Sequence, residues 1–297
     1  IKAKGRLQAL REMTDNGRAV KGCCGIGHTR WATHGEPSVV NAHPHVSKDR
    51  KIAVVHNGII ENYKEIKEYL QKKGYEFLSE TDTEVIAHLL DYYYKGNPLE
   101  AITKVLGRVR GSYALGILFQ ENPGVMYAVR KDSPLIIGKS AQGNFIASDV
   151  PAILKYTKTV CYIDDREIAE ITADSIRFYD VDQEELQKEF KTVEWDAKAA
   201  EKEGFEHFML KEIYEQPKAV ADTISPRIKN GKIVIDELEM TDEDIKNVSR
   251  IQMVACGSAY HVCVCAKYVL EELAQIPVDV DLASEFRYRN PILEEGT

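Results

Sequence analysis

The chain has 297 residues, of which 44% are hydrophobic and 29% charged, and its formal net charge is −8. This length favours two domains, and the composition is ordinary for a globular protein. The acidic balance, without a long Lys/Arg run, argues against a nucleic-acid surface. The apolar stretches have the length of strands, so no membrane span is expected. The polar opening Ile1–Arg6 is unlike a signal peptide, and the six cysteines fit neither a zinc pattern nor a disulfide scaffold, so we expect reduced thiols and a cytoplasmic location.

The first two thirds of the chain combine early helices with later strands. A buried strand is predicted at 52–56. Helices follow at about 63–73, 81–94 and 99–109, with Asn62 and either Thr81 or Asp82 as candidate N-caps. Alternation with a period of two then predicts strands at 113–119, 125–130, 135–138, 145–148, 160–163, 167–171 and 176–179. This order predicts an α+β sandwich with its sheets in the middle.

The last third has a different pattern. Residues 181–204 are highly charged and are interpreted as a solvated strand end and a linker. A helix is predicted at 209–223, with Pro217 causing a kink or an early stop. A strand at 251–255, a glycine turn, a helix at 259–273 and a strand at 278–282 follow, and this succession predicts the start of a doubly wound parallel α/β sheet.

Polar side chains are dense at 27–37, 41–45 and 56–62. Arg30 offers a planar fork for a carboxylate, and Asp82 offers a partner for an ammonium group, so the pair suits the two ends of an amino acid. Asn57 and Gly58 offer a side-chain amide and a close backbone N–H, which together can form an oxyanion hole. Other interpretations stay open, because Asn-Gly is commonly a turn and a lone charge commonly lies at the surface.

Five histidines lie in or beside these polar segments, and they suggest a metal site only weakly. Their spacing fits no common metal site, and histidines hydrogen-bonded in the core or in turns are the favoured interpretation. They are His28, His34, His43, His45 and His56.

These runs, together with Ser79–Glu84, resemble the glutamine-hydrolysing domain of the glucosamine-6-phosphate synthase family of class II glutamine amidotransferases. The resemblance implies an N-terminal-nucleophile αββα sandwich. It also implies a glutamine site in which Asp82, helped by Gly58, holds the α-ammonium group, and in which Asn57 and Gly58 form the oxyanion hole. The α-carboxylate would be held by Arg30, Thr33 and His34. Trp31 would gate the passage of ammonia, and His43 would couple the two sites.

In this family the nucleophile is an N-terminal cysteine whose own α-amino group acts as the base, an arrangement with chemical precedent. The first residue here is Ile1, so we expect the family's opening segment of roughly 40 residues to lack a counterpart. Cys24-Gly25-Ile26 is similar to that family start. Because Cys24 has no free α-amino group, we interpret it as a structural cysteine in a strand that leads to His28.

The last third resembles the same family in residues 211–217 and 284–289, which separate it from other class II amidotransferases. Cys256-Gly257-Ser258 is similar to the first sugar-phosphate loop of the family's sugar isomerase (SIS) domain, which implies that Gly257 and Ser258 bind sugar phosphate. A helix N-terminus suits a phosphate group, and a plain strand-to-helix turn is the alternative. Ala259 stands where many relatives have a hydroxyl residue.

The resemblance implies a division of the chain at about residue 203. Residues 1–203 are expected to be a glutaminase domain that lacks its N-terminal segment. Residues 204–297 would be a linker helix and the N-terminal part of a SIS domain.

The implied reaction is glutamine-dependent amination of fructose 6-phosphate to glucosamine 6-phosphate plus glutamate. It would be carried out by a homo-oligomer with no metal or organic cofactor. Without the nucleophile, the 297-residue chain is expected to be inactive by itself. The alternatives are another class II amidotransferase with a different acceptor and a non-catalytic fragment that binds glutamine or sugar phosphate.

Overall fold

The computed structural model describes residues 1–194, 202–235 and 238–297. The chain divides into two compact units, Ile1–Glu206 and His207–Thr297. Part of the predicted linker, residues 195–201, lies outside the described residues. In the part of the chain that the structure describes, no helix combines the length and apolar character needed to cross a bilayer.

Within its described residues, the first unit contains four α-helices and two antiparallel sheets. Its described helices are α1 (Leu7–Met13), α2 (Tyr63–Gln71), α3 (Glu84–Tyr93) and α4 (Pro98–Leu106). Its described strands are β1 (His45–Val46), β2 (Ile52–Ile60), β3 (Gly111–Phe119), β4 (Met126–Lys131), β5 (Ile136–Ser140), β6 (Gly143–Ala147), β7 (Thr159–Tyr162), β8 (Ile168–Ile171), β9 (Ile176–Tyr179), β10 (Glu185–Leu186) and β11 (Lys191–Thr192). The larger sheet has the order β1-β2-β3-β4-β8-β9-β10, and the smaller has the order β11-β7-β5-β6.

The two sheets are held together by the alternation of apolar side chains along each strand. On β4, Tyr127 and Val129 pack with the buried residues of α2, α3 and α4. Met126 and Ala128 on the same strand point the other way and pack with Ile137 of the smaller sheet. The outer face of that smaller sheet is covered by a short segment around Val150–Leu154. The predicted α+β sandwich with its sheets in the middle is therefore confirmed.

Several local predictions for this unit were wrong. The strand predicted at 52–56 continues to Ile60, so that Asn57 and Gly58 lie within β2 and pair with β3. Asn62 precedes α2 without capping it, because its side chain bonds the backbone of Arg108 and Arg110 instead. The next helix, α3, begins directly after Thr83, so neither Thr81 nor Asp82 is its N-cap.

Two further differences concern the start of the chain. Helix α1 was not predicted, and it buries none of its residues. No strand is assigned over Cys24–Ile26, although the side chains of both residues pack against the core between the sheets. The strand predicted there is therefore wrong, while the structural interpretation of Cys24 agrees with its packing.

The second unit contains the parallel strand pair that the sequence predicted. Its described helices are α5 (Phe208–Ile224), α6 (Asp242–Lys246), α7 (Gly257–Ala274) and α8 (Ala283–Tyr288), and its strands are β12 (Ile228–Lys229), β13 (Lys232–Ile233), β14 (Ile251–Ala255) and β15 (Val278–Leu282). Strands β14 and β15 pair in parallel through the α7 crossover. The early stop at Pro217 was wrong, because α5 continues through it to Ile224.

Candidate functional site

All eight residues predicted for a site in the first unit line one cavity of about 360 Å³. They come from separate segments of the chain, and they are Arg30, Trp31, Thr33, His34, His43, Asn57, Gly58 and Asp82. A cavity of this volume falls in the range of roughly 300–1,000 Å³ that is typical of small-molecule sites. The tertiary structure thus brings the predicted residues together, while their individual roles stay predictions.

The second half of β2 contributes Asn57 and Gly58 to the lining of this cavity, and both residues are exposed. Gly58 has φ +123°, and a Cβ atom built there would lie 2.2 Å from the carbonyl oxygen of Ser112 on β3. Only glycine fits such a close approach between paired strands. The Asn-Gly pair is therefore part of a strand here, and the turn interpretation is wrong.

Asp82 is buried in the wall of the cavity, with 4% of its surface exposed. One carboxylate oxygen accepts a 2.7 Å hydrogen bond from the backbone N–H of Ile60, at the end of β2. A buried carboxylate requires such partners, and this bond ties the acidic side chain to the strand that carries Asn57. The carboxylate and the amide of the site are therefore connected through the same strand.

The loop around Asp82 is held by a second buried carboxylate, that of Glu84. Glu84 accepts hydrogen bonds from the backbone N–H groups of Leu78 (2.9 Å) and Ser79 (2.7 Å) and from the Ser79 hydroxyl (2.6 Å). Burial by itself would raise the pKa of Glu84, but the His88 ring, whose Nε2 lies 3.6 Å from Oε1, and the hydrogen bonds from Leu78 and Ser79 lower the pKa to about 2. Glu84 is therefore ionised at neutral pH and fixes the loop.

Arg30 binds the backbone of its own loop. Its guanidinium donates to the carbonyl oxygens of Glu36 (3.0 Å), Gly35 (2.8 Å) and His34. Asn41 joins this loop to the acidic one, because its amide donates to the Glu36 carbonyl (3.0 Å) and its oxygen accepts from the backbone N–H of Glu80 (3.0 Å). The fork of Arg30 thus shapes the cavity wall, and its predicted contact with a carboxylate stays a prediction.

Trp31, Thr33 and His34 form the outer rim of the cavity. Trp31 has 89% of its surface exposed. The ring of His34 stands edge-on to Tyr63 with centroids 5.1 Å apart, and its Nδ1 lies 3.3 Å from the Thr33 hydroxyl. This side of the cavity therefore faces solvent at Trp31.

Histidine rings form the inner wall. His28 stacks on His43 with centroids 4.1 Å apart, and His45 stands edge-on to His43 at 5.0 Å. Burial lowers the pKa of His43 to about 2 and that of His45 to about 4. The positive charge of Arg30 acts in the same direction on both rings, while Glu84 partly opposes the shift of His45. Burial also lowers the pKa of His56, whose Nδ1 lies 2.9 Å from the Thr83 hydroxyl. These rings are therefore neutral at neutral pH.

A second cavity, of about 420 Å³, continues from the first between the two sheets and shares His28, His56 and Asn57 with it. Its apolar lining includes Leu135 and Ile146. Cys24 does not line either of these two cavities, and burial raises the pKa of its thiol. A raised thiol pKa disfavours the nucleophilic thiolate, which fits the structural interpretation of Cys24.

In the second unit, Gly257 and Ser258 open α7 directly after β14. Gly257 has φ +58°, and both residues are exposed. Residues 284–288 lie on α8, directly after β15. Because β14 and β15 are parallel, both segments follow the carboxyl ends of neighbouring strands, where ligands bind in open α/β sheets.

Seven residues that line the first cavity were not predicted for the site. They are His28, Thr29, His56, Ile59, Thr81, Thr83 and Ser112. His28 left a signal in the sequence, because it stands two residues before Arg30 in a segment dense in polar side chains. Ser112 left no local signal, since it reaches the site only through the pairing of β3 with β2. Among the described residues, no cluster of three or more His, Cys, Asp or Glu side chains is arranged to hold a metal ion.

The cavity as a whole combines a buried carboxylate, a wall held in place by Arg30, and an amide beside a glycine backbone. Such a set suits a small amino acid whose side-chain carbonyl lies against the amide. The resemblance to class II amidotransferases implied this set of groups for a glutamine site, and the role of each residue stays a prediction.

Comparisons with known proteins agree with this class. A family model described as a glutamine amidotransferase domain matches residues 3–193, and one described as a SIS domain matches residues 244–297. The chain belongs to the glutamine amidotransferase family, and its last part matches a SIS domain.

Curated relatives match across the whole chain. The glutamine–fructose-6-phosphate aminotransferase (isomerizing) of Clostridium acetobutylicum is 57% identical over 297 residues, which is 100% of this chain and 49% of that protein. The enzyme of the same name from Caldanaerobacter subterraneus is 57% identical over 295 residues, which is 99% of this chain and 48% of that protein. The one from Clostridium tetani is 52% identical over the full chain. The chain thus spans about half the length of the curated relatives it matches.

Proposed function

We propose that the protein carrying this chain removes ammonia from L-glutamine and transfers it to fructose 6-phosphate, giving glutamate and glucosamine 6-phosphate. The observation that carries the proposal is the single cavity lined by Arg30, Asp82, Asn57 and Gly58. The relatives named glutamine–fructose-6-phosphate aminotransferase support the choice of acceptor. Residues 1–203 would form the glutaminase part, and residues 204–297 would form the linker helix and the start of the SIS domain.

In this proposal Asp82 binds the α-ammonium group of glutamine, and its position is set by the bond from Ile60. Arg30, Thr33 and His34 bind the α-carboxylate from the rim. The Arg30 guanidinium has five N–H groups and donates to three backbone carbonyl groups, so it can bind a carboxylate without releasing them. Charge-assisted hydrogen bonds of this kind contribute on the order of 1.5–3 kcal/mol each.

The chemical step proposed for the first unit is attack by a cysteine thiolate on the glutamine carboxamide carbon, followed by loss of ammonia and hydrolysis of the thioester. As the thiolate adds, negative charge develops on the carboxamide oxygen. The Asn57 side-chain N–H and the Gly58 backbone N–H would stabilise this charge. Trp31 at the rim would then gate the passage of ammonia, and His43 would couple the site to the sugar half.

In the second unit, Gly257 and Ser258 would bind the sugar phosphate at the start of α7, where backbone N–H groups favour an anion. The homo-oligomeric state and the cytoplasmic location expected from the resemblance remain predictions of the same proposal.

The proposal is tested by calorimetric titration of the chain with glutamine, and by glutaminase and sugar-amination assays on the full-length protein. Saturable binding and formation of glucosamine 6-phosphate are expected. Glutamine hydrolysis without amination of fructose 6-phosphate would favour another amidotransferase with a different acceptor. Binding without hydrolysis by the full-length protein would favour the non-catalytic alternative.

An Asp82→Asn variant tests the ammonium contact separately. The asparagine oxygen can still accept the bond from Ile60, so the fold should be retained, while the negative charge is lost. We expect the affinity of the chain for glutamine to fall about 10-fold to 150-fold. Asp174→Asn in an exposed turn is the matched control. Unchanged affinity in Asp82→Asn would remove Asp82 from the binding site.

A further inference from the structure

The orientation of the Asn57 amide decides whether it can stabilise an oxyanion. An amide offers an N–H group on one side and a carbonyl oxygen on the other, and only the N–H side favours developing negative charge. His28 Nε2 lies 2.6 Å from Asn57 Oδ1. If this nitrogen carries the ring proton, it donates to Oδ1 and leaves the Asn57 Nδ2 group free to face the cavity.

The surroundings of His28 favour that tautomer. Its other ring nitrogen, Nδ1, is buried and has no hydrogen-bond partner among the described residues. The backbone of His56 lies close enough to the ring to raise the pKa of His28, but Nδ1 makes no hydrogen bond of normal geometry. A proton on Nδ1 would therefore be a buried donor without a well-aligned acceptor, which is costly. A proton on Nε2 has Asn57 Oδ1 as its acceptor at 2.6 Å. Burial lowers the pKa of His28 in spite of its hydrogen bond to Asn57, so the ring is neutral and carries a single N–H.

The His28 ring is also held in place from behind. It stacks on His43, with an interplanar angle of 29°. The Nδ1 of His43 accepts the backbone N–H of His56 at 3.3 Å, and His56 is the residue directly before Asn57 on β2. The stack is thereby anchored to the strand that carries the amide. Small shifts of the loop at 28–37 therefore need not rotate the donor away from Asn57.

We propose that His28 is a positioning residue for glutamine hydrolysis, whose Nε2–H holds the Asn57 amide with its Nδ2 group turned towards the reacting carbonyl. This inference rests on the proposed glutaminase function. His28 does not touch the reacting atoms in this role. It prevents the amide from presenting its own oxygen to the developing oxyanion.

The experiment compares two substitutions of different hydrogen-bonding capacity in the full-length protein. His28→Met keeps bulk and loses the donor. His28→Gln keeps a donor, because glutamine Nε2 lies the same number of bonds from Cα as histidine Nε2. Removing an oxyanion donor typically lowers kcat about 10²–10³-fold, and misorienting one should lower kcat on the order of 10-fold to 100-fold. The KM for glutamine should change little, because the contact strengthens only in the transition state.

A double-mutant cycle tests whether His28 acts through Asn57. In an Asn57→Ala background, His28→Met should cause almost no further loss of kcat. His28→Gln should recover most of the loss seen in His28→Met. The proposal is overturned if His28→Met has the kcat of the unmodified protein, if its effect is equally large without Asn57, or if His28→Gln is no better than His28→Met.

One measurement does not depend on any variant folding. The ¹⁵N chemical shifts of the His28 ring in the unmodified chain distinguish a proton on Nε2 from one on Nδ1. Protonated Nε2 is expected, and protonated Nδ1 would overturn the proposal. If the unmodified full-length protein does not hydrolyse glutamine, the proposed function fails. If it does, and Asn57→Ala is impaired while His28→Met is not, only the role of His28 fails.

Discussion

Replacing Gly58 by alanine should destabilise the first unit more than the same change at Gly116 or Gly143. The new Cβ would lie 2.2 Å from the carbonyl oxygen of Ser112 and 2.7 Å from its carbonyl carbon. Both atoms belong to the backbone of β3, so they move only if the strand moves. The residue would also have to adopt φ +123°, which costs side-chain-bearing residues about 1–3 kcal/mol.

The two other glycines separate these contributions. Gly143 has φ +135° but no atom within 4 Å of its built Cβ, so Gly143→Ala reports strain alone. Gly116 has no positive φ, and its Cβ would lie 2.8 Å from the flexible end of Ile146, so Gly116→Ala reports overpacking alone. Each should cost about 1–3 kcal/mol. Gly58→Ala combines both effects and should cost about 4 kcal/mol.

The assay is urea denaturation of the chain followed by far-UV circular dichroism, with amide hydrogen exchange of β2 and β3 assigning the transition to the first unit. If the free energies of unfolding of Gly58→Ala and Gly143→Ala differ by less than about 1 kcal/mol, the clash with Ser112 is refuted, because backbone strain alone would then explain both values. The expected result also has a practical consequence. Loss of activity in Gly58→Ala would reflect a displaced strand, so Asn57 is the better position for testing the oxyanion hole.

Two further predictions concern acid. The pKa of Glu84 is lowered to about 2 in the folded chain, so its contribution to stability is present above its unfolded pKa near 4.5 and is lost as pH falls towards 2. Glu84→Gln should be less stable by about 2–3 kcal/mol at neutral pH, and a gap in the free energy of unfolding that does not narrow below pH 4.5 would contradict this. The pKa of His43 is also lowered, to about 2. The stability that depends on a neutral His43 ring is therefore fully present above about pH 6.5 and is lost as the pH falls below that value. His43→Asn keeps an acceptor near His56 but does not titrate, so its stability should fall less than that of the unmodified chain between pH 6.5 and 4.5. If the free energies of unfolding of His43→Asn and of the unmodified chain, measured with urea, fall in parallel over this pH range, the prediction is wrong and His43 remains accessible to protons in the fold.

Much of the architecture was predictable because local patterns and tertiary packing agree. The period-two alternation at 125–130 corresponds to β4, whose alternate residues face the helices and the smaller sheet. The helix predicted at 259–273 was found at Gly257–Ala274 between parallel strands. In these segments the side-chain period that each element requires is also the period of the apolar residues.

The predictions of helix caps failed where the side chain bonds a partner that is distant in the sequence. Asn62 was predicted to cap a helix, but its side chain bonds the backbone around residues 108–110. Asp82 was a candidate cap and instead accepts the N–H of Ile60. Capping preferences are local, whereas these bonds join residues that are 22 to 48 positions apart in the chain. Sequence patterns alone do not encode which distant donor is nearby.

The amino-acid sequence already shows which residue types are available for chemistry, namely a carboxylate, an arginine, an amide beside a glycine, and several histidines. It also carries the resemblance that assigned eight residues of the first unit to a site. How these residues are used depends on the tertiary structure. The pairing of β2 with β3 makes Gly58 indispensable, and the packing of the loop at 28–37 on β2 places His28 against Asn57. The physical reason is that hydrogen-bond direction and close backbone approach depend on three-dimensional distances, and residues remote in sequence set those distances.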